Sequence, residues 1–169
     1  PLIWDDDALV VKNPFLSSWS NLPKVFTSDL YPGVTSGSNF YRPIQTISYM
    51  WDYHFWQLDP FGYHFSNIIL QVLVSFLVFL FTRIILKDTK IAFATALLFA
   101  LNPLHTEAVT YISGRAEMLM GLFLLSSLIL FIRGHRVFSL LAFICGLLSK
   151  ELSVVFPLAI LAYIFCYKR

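Results

Sequence analysis

The sequence predicts an all-α membrane protein, a polytopic helix bundle whose first, non-cytosolic loop carries short amphipathic helices. Three observations predict it. Of the 169 residues, 57% are hydrophobic, 17% aromatic and 13% charged, whereas soluble domains carry about 25% charged residues. The apolar residues gather into continuous runs after residue 63. The charges lie between those runs, and acids and bases segregate to opposite sides of them. Membrane lipids are therefore expected partners, and nucleic acid is not.

Residues 1–63 form the loop region. WDDDALVVKNP opens it, a turn-rich stretch with Pro23, Pro32, Gly33 and Gly37 follows, and YRPIQTISYMWDYHFWQLDPFGYH closes it. The dense aromatics beside amides and charges in the last part suit short helices lying at a bilayer surface. A small water-soluble subdomain is the alternative. Residues 64–169 form the helical region, with spans expected at about 64–86, 91–104, 115–133, 137–149 and 152–167. The second run covers only about 21 Å as a helix, so its far end is expected to stop below the surface, in a pocket recessed into the bilayer. In the last region Ser149-Lys150-Glu151 interrupts the apolar run, and two helices turning there cost less than one with charges at mid-bilayer.

Charge placement gives the orientation. These spans put Arg83, Lys87, Lys90, Arg133, Arg136, Lys168 and Arg169 on one side, cytosolic by the positive-inside rule. Asp5, Asp6, Asp7, Asp29, Asp52, Asp59, Glu107, Glu117 and Glu151 fall on the other, which leaves Asp88 as the cytosolic acid. The acidic start, the loop NPLHTEAVTYISGRAE (102–117) and the Ser-Lys-Glu turn thus converge on the non-cytosolic face. Cys145 and Cys166 lie inside apolar runs, where they serve as small hydrophobes. The opening on Pro1 and the close on Arg169 directly after an apolar run make a fragment the expectation.

That face has chemistry to offer. Adjacent carboxylates repel, so among Asp5, Asp6 and Asp7 at least one is expected to have a raised pKa suited to a general base. Arg42, Arg115 and Lys150 can hold a phosphate, Arg through a bidentate fork and Lys as a point charge. A base, a cationic cradle and a membrane location suggest group transfer from a lipid phosphate. A solvated loop edge has the same composition. His54, His64 and His105 share the face with the carboxylates but show no tight ligand spacing such as HExxH, so a divalent metal is not expected.

WDDDALVVKNP, YRPIQTISY with WQLDPFGYHFSNIIL, LLFALNPLHTEAVTYISGRAEML and LLSKELSVVFPL, in this order, resemble the transmembrane and tetratricopeptide-repeat (TMTC) O-mannosyltransferases of the GT-C glycosyltransferase superfamily. The resemblance implies a GT-C membrane core in the endoplasmic reticulum with its active face luminal. It also implies transfer of mannose, with inversion, from dolichyl-phosphate mannose to Ser or Thr hydroxyls of cadherin-type acceptor proteins, and a following array of repeats. No other cofactor is implied. The acidic pair falls on Asp5 and Asp6, with Asn13 eight residues beyond Asp5. Arg115, Lys150 and Arg42 are the candidates for the donor phosphate; His105, Glu107, Glu117 and Glu151 are the candidates for orienting the acceptor. Asn102 and Gln71 stand where such proteins usually have His. Other readings are a bacterial polyprenyl-phosphate-sugar transferase of the cell envelope, a non-catalytic scaffold, and a transporter, although the paired broken helices of a transporter are not visible. The 169 residues alone are expected to transfer no sugar, and transfer by the isolated chain in a reconstituted assay would refute that.

Overall fold

Short wound segments come first and long apolar helices follow, in the order that the mixed and apolar stretches dictate. The computed structural model describes residues 5–32 and 39–167; Gly33, Gly37, Lys168 and Arg169 lie outside the described residues. A π-helical turn over Asp7–Val11, a 3-10 turn over Trp19–Asn21 and the one-turn helix α1 (Leu22–Val25) precede α2 (Pro43–Trp56). Leu9, Val10, Leu16, Val25 and Leu30 from this opening region pack with Tyr49, Met50, Tyr63 and Ile112 into one buried cluster. Each such burial contributes about 1.5–3 kcal/mol. The opening region is thereby tied to the helices.

Helix α2 is inverted relative to a soluble amphipathic helix. It buries Gln45, Thr46 and Asp52 alongside Tyr49 and Met50, while Trp51 and Phe55 are 54% and 66% exposed. Outward aromatics suit the boundary between headgroups and hydrocarbon.

Helix α3 (Pro60–Leu86) starts where Asp59 Oδ1 accepts the Phe61 N–H at 3.0 Å, with Pro60 in the first turn. Its 27 residues extend about 40 Å. It ends at Lys87, in the left-handed region at φ 56°. Asp88 Oδ1 at once caps α4 (Thr89–Ala100), accepting the Lys90 and Ile91 N–H groups at 2.7 and 3.1 Å. This two-residue reversal packs α3 against α4. Then come α5 (His105–Thr110), a 3-10 turn over Ile112–Gly114 and α6 (Arg115–Ile132). Gly134, at φ 86°, reverses the chain into α7 (Arg136–Leu147). In this hairpin Ser127 Oγ donates to the Ser139 carbonyl and Ser139 Oγ to the Ser127 carbonyl, both at 2.8 Å. A 3-10 turn over Glu151–Val155 leads into α8 (Phe156–Tyr167), so the chain breaks at Ser149-Lys150.

No strand occurs among the described residues, and the all-α class holds. Two stretches, Pro60–Leu86 and Ile112–Ile132, are long and apolar enough to cross a bilayer; Thr89–Ala100, Arg136–Leu147 and Glu151–Tyr167 are apolar but shorter. Expected spans 64–86 and 115–133 therefore fall on helices of spanning length, and 91–104, 137–149 and 152–167 fall on shorter ones.

Arg115 joins α2, α3 and α6. Its Nε donates to Asn67 Oδ1 at 2.8 Å, its Nη2 to the Tyr63 carbonyl at 2.9 Å and its Nη1 to the Ser48 carbonyl at 3.3 Å. Nη1 also lies 2.5 Å from Asp52 Oδ2, an ion-pair contact, while Asp52 Oδ1 accepts the Ser66 hydroxyl at 2.6 Å. The Tyr49 ring lies 4.7 Å from the guanidinium carbon. Removing one member of a buried pair strands the other, which costs about 3–5 kcal/mol. Arg115→Met in the complete protein is expected to lose stability on that scale in a detergent thermal melt, and Arg115→Met with Asp52→Leu to recover part of it.

Candidate active site

The three neighbouring aspartates separate because successive residues of a helical turn project in different directions. Asp5 is exposed and lines a cavity of about 490 Å³. Asp6 is buried, and its Oδ1 accepts the Ser113 N–H at 3.0 Å. Asp7 pairs at the surface with Lys12 at 2.5 Å. Three carboxylates crowding one another, the arrangement expected from their adjacency, is therefore not what the fold builds.

The rest of the cavity wall comes from the opening region, from the start of α2, from the stretch that runs from the end of α4 through α5 to the first turn of α6, and from the break after α7. Arg42, Gln45, Leu104, Glu107, Glu117 and Lys150 line it, together with Tyr31. Burial first, and then the Asp5 carboxylate, push the Tyr31 hydroxyl pKa up, so this group is a proton donor at neutral pH. Both cations of the wall are paired. Arg42 forks onto Glu151, Nε to Oε2 at 2.9 Å and Nη2 to Oε1 at 2.6 Å. Lys150 Nζ donates to Glu117 Oε1 at 2.6 Å. The cations are 14% and 20% exposed, their glutamates 55% and 56%. The carboxylates are thus the wetter, more easily exchanged halves.

The other sequence-derived candidates lie off the cavity wall. Arg115 is 1% exposed, and every nitrogen of its guanidinium serves the interior network, so placing it on a donor phosphate is corrected. Its burial follows from the partners that α2 and α3 bring to it. The His105 ring lies 4.3 Å from the Phe99 ring, tilted at 47° to it, and does not line the cavity. Glu151 reaches the site through Arg42. Asn13 makes a local turn, its Oδ1 accepting the Phe15 N–H at 3.0 Å. Asn102 does the same for Leu104 at 3.0 Å, and Gln71 lies within α3. No group of three His, Cys, Asp or Glu able to hold a metal occurs among the described residues.

Gly114 explains the loop's shape. A Cβ there would fall 2.5 Å from the Ala108 carbonyl oxygen, so α5 and the following turn approach as only glycine permits. That approach aims the peptide between Ile112 and Ser113 at the interior. Its carbonyl accepts the Tyr49 hydroxyl at 2.8 Å and its N–H donates to Asp6. Burial pushes the Tyr49 pKa up and keeps that hydroxyl a donor. Tyr31, Gln45 and Tyr49 are the residues that the sequence reading missed. The available signal was Gln45 standing among the apolar and aromatic neighbours of YRPIQTISY.

The hydrogen bonds from Arg42 hold the Glu151 carboxyl below its ordinary pKa. A group whose pKa is depressed on folding adds stability above its unfolded value and loses it as pH falls through the folded one. The stability difference between wild type and Glu151→Gln is therefore expected to be full at neutral pH and to vanish only in acid below the ordinary glutamate range. Thermal melts across a pH series check this.

Comparison with known proteins adds relatives that span far more than this chain. Protein O-mannosyl-transferase F38B6.6 of Caenorhabditis elegans is 32% identical over 167 residues, 94% of this chain and 24% of that protein. Human protein O-mannosyl-transferase TMTC2 is 35% identical over 133 residues, 77% of this chain and 16% of that protein. Human protein O-mannosyl-transferase TMTC1 is 36% identical over 129 residues, 73% of this chain and 14% of that protein. The chain thus spans a quarter or less of the length of these curated relatives. No family profile matches it, and no solved structure matches it.

Proposed function

We propose, on the premise that this chain belongs to the TMTC family of protein O-mannosyltransferases, that it forms the non-cytosolic catalytic cavity of a membrane enzyme built on a GT-C-type core. The enzyme transfers mannose from dolichyl-phosphate mannose to Ser or Thr hydroxyls of folded, cadherin-type protein acceptors on the luminal face of the endoplasmic reticulum. The observation that carries the reading is one cavity lined by Asp5, Arg42 and Lys150.

Asp5 is the general base. It takes the proton of the acceptor hydroxyl as that oxygen bonds to the anomeric carbon, and the bond from that carbon to the phosphate oxygen breaks on the opposite face. The configuration inverts and the lipid phosphate leaves with its electron pair. Charge develops on that phosphate, so fixed cations beside it lower the barrier. Arg42 and Lys150 supply them. Glu151 and Glu117 hold these cations in place, and the donor phosphate competes with them for the cations on arrival. Glu107 lies on the same wall and orients the acceptor. Asp6 anchors the 112–113 peptide, and Arg115 holds the helices that carry the wall.

The test is transfer of labelled mannose by the complete protein, in membranes lacking other mannosyltransferases, to a folded cadherin-type domain. Asp5→Asn is expected to lose about 10²–10⁴-fold in kcat, and Lys150→Met to weaken use of the donor. Full activity in a correctly inserted Asp5→Asn protein would remove Asp5 as the base.

A further inference from the structure

The Tyr31 hydroxyl is a cavity group that the reaction scheme above leaves unused. The side chain is half-buried and packs against the cluster that holds Leu9, Leu30 and Tyr49. It also lines the cavity, with Asp5 and Arg42 as fellow wall residues. Burial pushes the hydroxyl's pKa up most, the Asp5 carboxylate adds to that, and the Arg42 guanidinium works against it. Both charges that act on the hydroxyl thus belong to the wall, so the oxygen end faces the cavity while the ring packs on the cluster. Asp5 outweighs Arg42, which sets the hydroxyl on the base's side. No hydrogen bond to it occurs among the described residues, from Asp5 or any other group. A protonated, partly wet donor therefore stands beside the base with its proton unspent.

We propose that Tyr31 holds the acceptor: its hydroxyl donates a hydrogen bond to the Ser or Thr oxygen that attacks the sugar. This rests on the transferase reading above and assigns a further substrate-touching residue within it. An alcohol oxygen carries one proton and two lone pairs. Asp5 takes the proton, and one lone pair forms the bond to the anomeric carbon. The other lone pair needs a donor if the oxygen is to be held in one orientation, and holding it so lowers the barrier. Tyr31 keeps its own proton throughout. The acceptor proton ends on Asp5, and the lipid phosphate leaves with the electron pair of the broken bond. A neutral phenol draws less electron density from the attacking oxygen than a cation would. The two wall cations are in any case committed to their glutamates or to the phosphate.

The experiment measures mannose transfer by the complete protein, wild type beside Tyr31→Phe, with donor and acceptor concentrations varied separately. The phenylalanine keeps the ring in the cluster and removes only the hydroxyl. In this variant kcat/KM for the folded cadherin-type domain is expected to fall about 3- to 10-fold, the effect of losing one neutral hydrogen bond. KM for dolichyl-phosphate mannose and inhibition by dolichyl phosphate are expected to stay as in wild type. Unchanged acceptor kinetics in Tyr31→Phe overturn the role of Tyr31 and leave the transferase reading intact. Weaker donor use and weaker dolichyl phosphate inhibition, equal in size to the acceptor loss, overturn it as well, since the hydroxyl would then serve the phosphate or the fold. Absence of any transfer by correctly inserted wild type overturns both.

Discussion

The buried ion pair between Arg115 and Asp52 is the constraint on which the rest depends. A guanidinium inside apolar packing is tolerated only if its hydrogens are met and its charge is balanced. Meeting that demand takes carbonyls from α2 and α3, the Asn67 amide and the Asp52 carboxylate. Those partners in turn fix α2 against the first turns of α3 and seat α6 beneath both. The small cluster around Leu9, Tyr49 and Ile112 then packs the opening region onto the same junction. The cavity lies on this junction, so its walls inherit a geometry set by charge burial rather than by loop preference.

Much of this was legible in the chain. The apolar runs are helices because nothing in them competes, and Asp59 and Asp88 stand at helix starts where a side-chain oxygen meets free N–H groups. The break at Ser149-Lys150 follows from the cost of carrying charge through a continuous apolar helix. Lys150, Arg42, Glu107 and Glu117 stand out in the sequence by charge and loop position, and the fold brings all four to one cavity.

What was not legible depended on contacts distant in sequence. Arg115 reads as a free cation because its loop is polar, and its partners lie from 48 to 67 residues earlier in the chain. The Asp5-Asp6-Asp7 run reads as mutual repulsion because adjacency is visible, whereas the backbone rotation that parts the side chains is not. Gln45 carries only a weak signal in the sequence, because a single amide in an aromatic-rich helix makes no motif. Its meaning comes from the turn at Ile112–Gly114, which presents one carbonyl to its nitrogen and another to Tyr49.

The paired hydroxyls of Ser127 and Ser139 act at a distance from all of this. By fastening α6 to α7 from both directions near their shared reversal, they make the two helices a single pair of calipers. One tip carries Glu117, at the start of α6, and the other carries Lys150, just past the end of α7. The gap between the tips is then set by the angle at the far joint. Loosening that joint would splay the jaws where the cavity opens, with no change to any residue that touches a ligand.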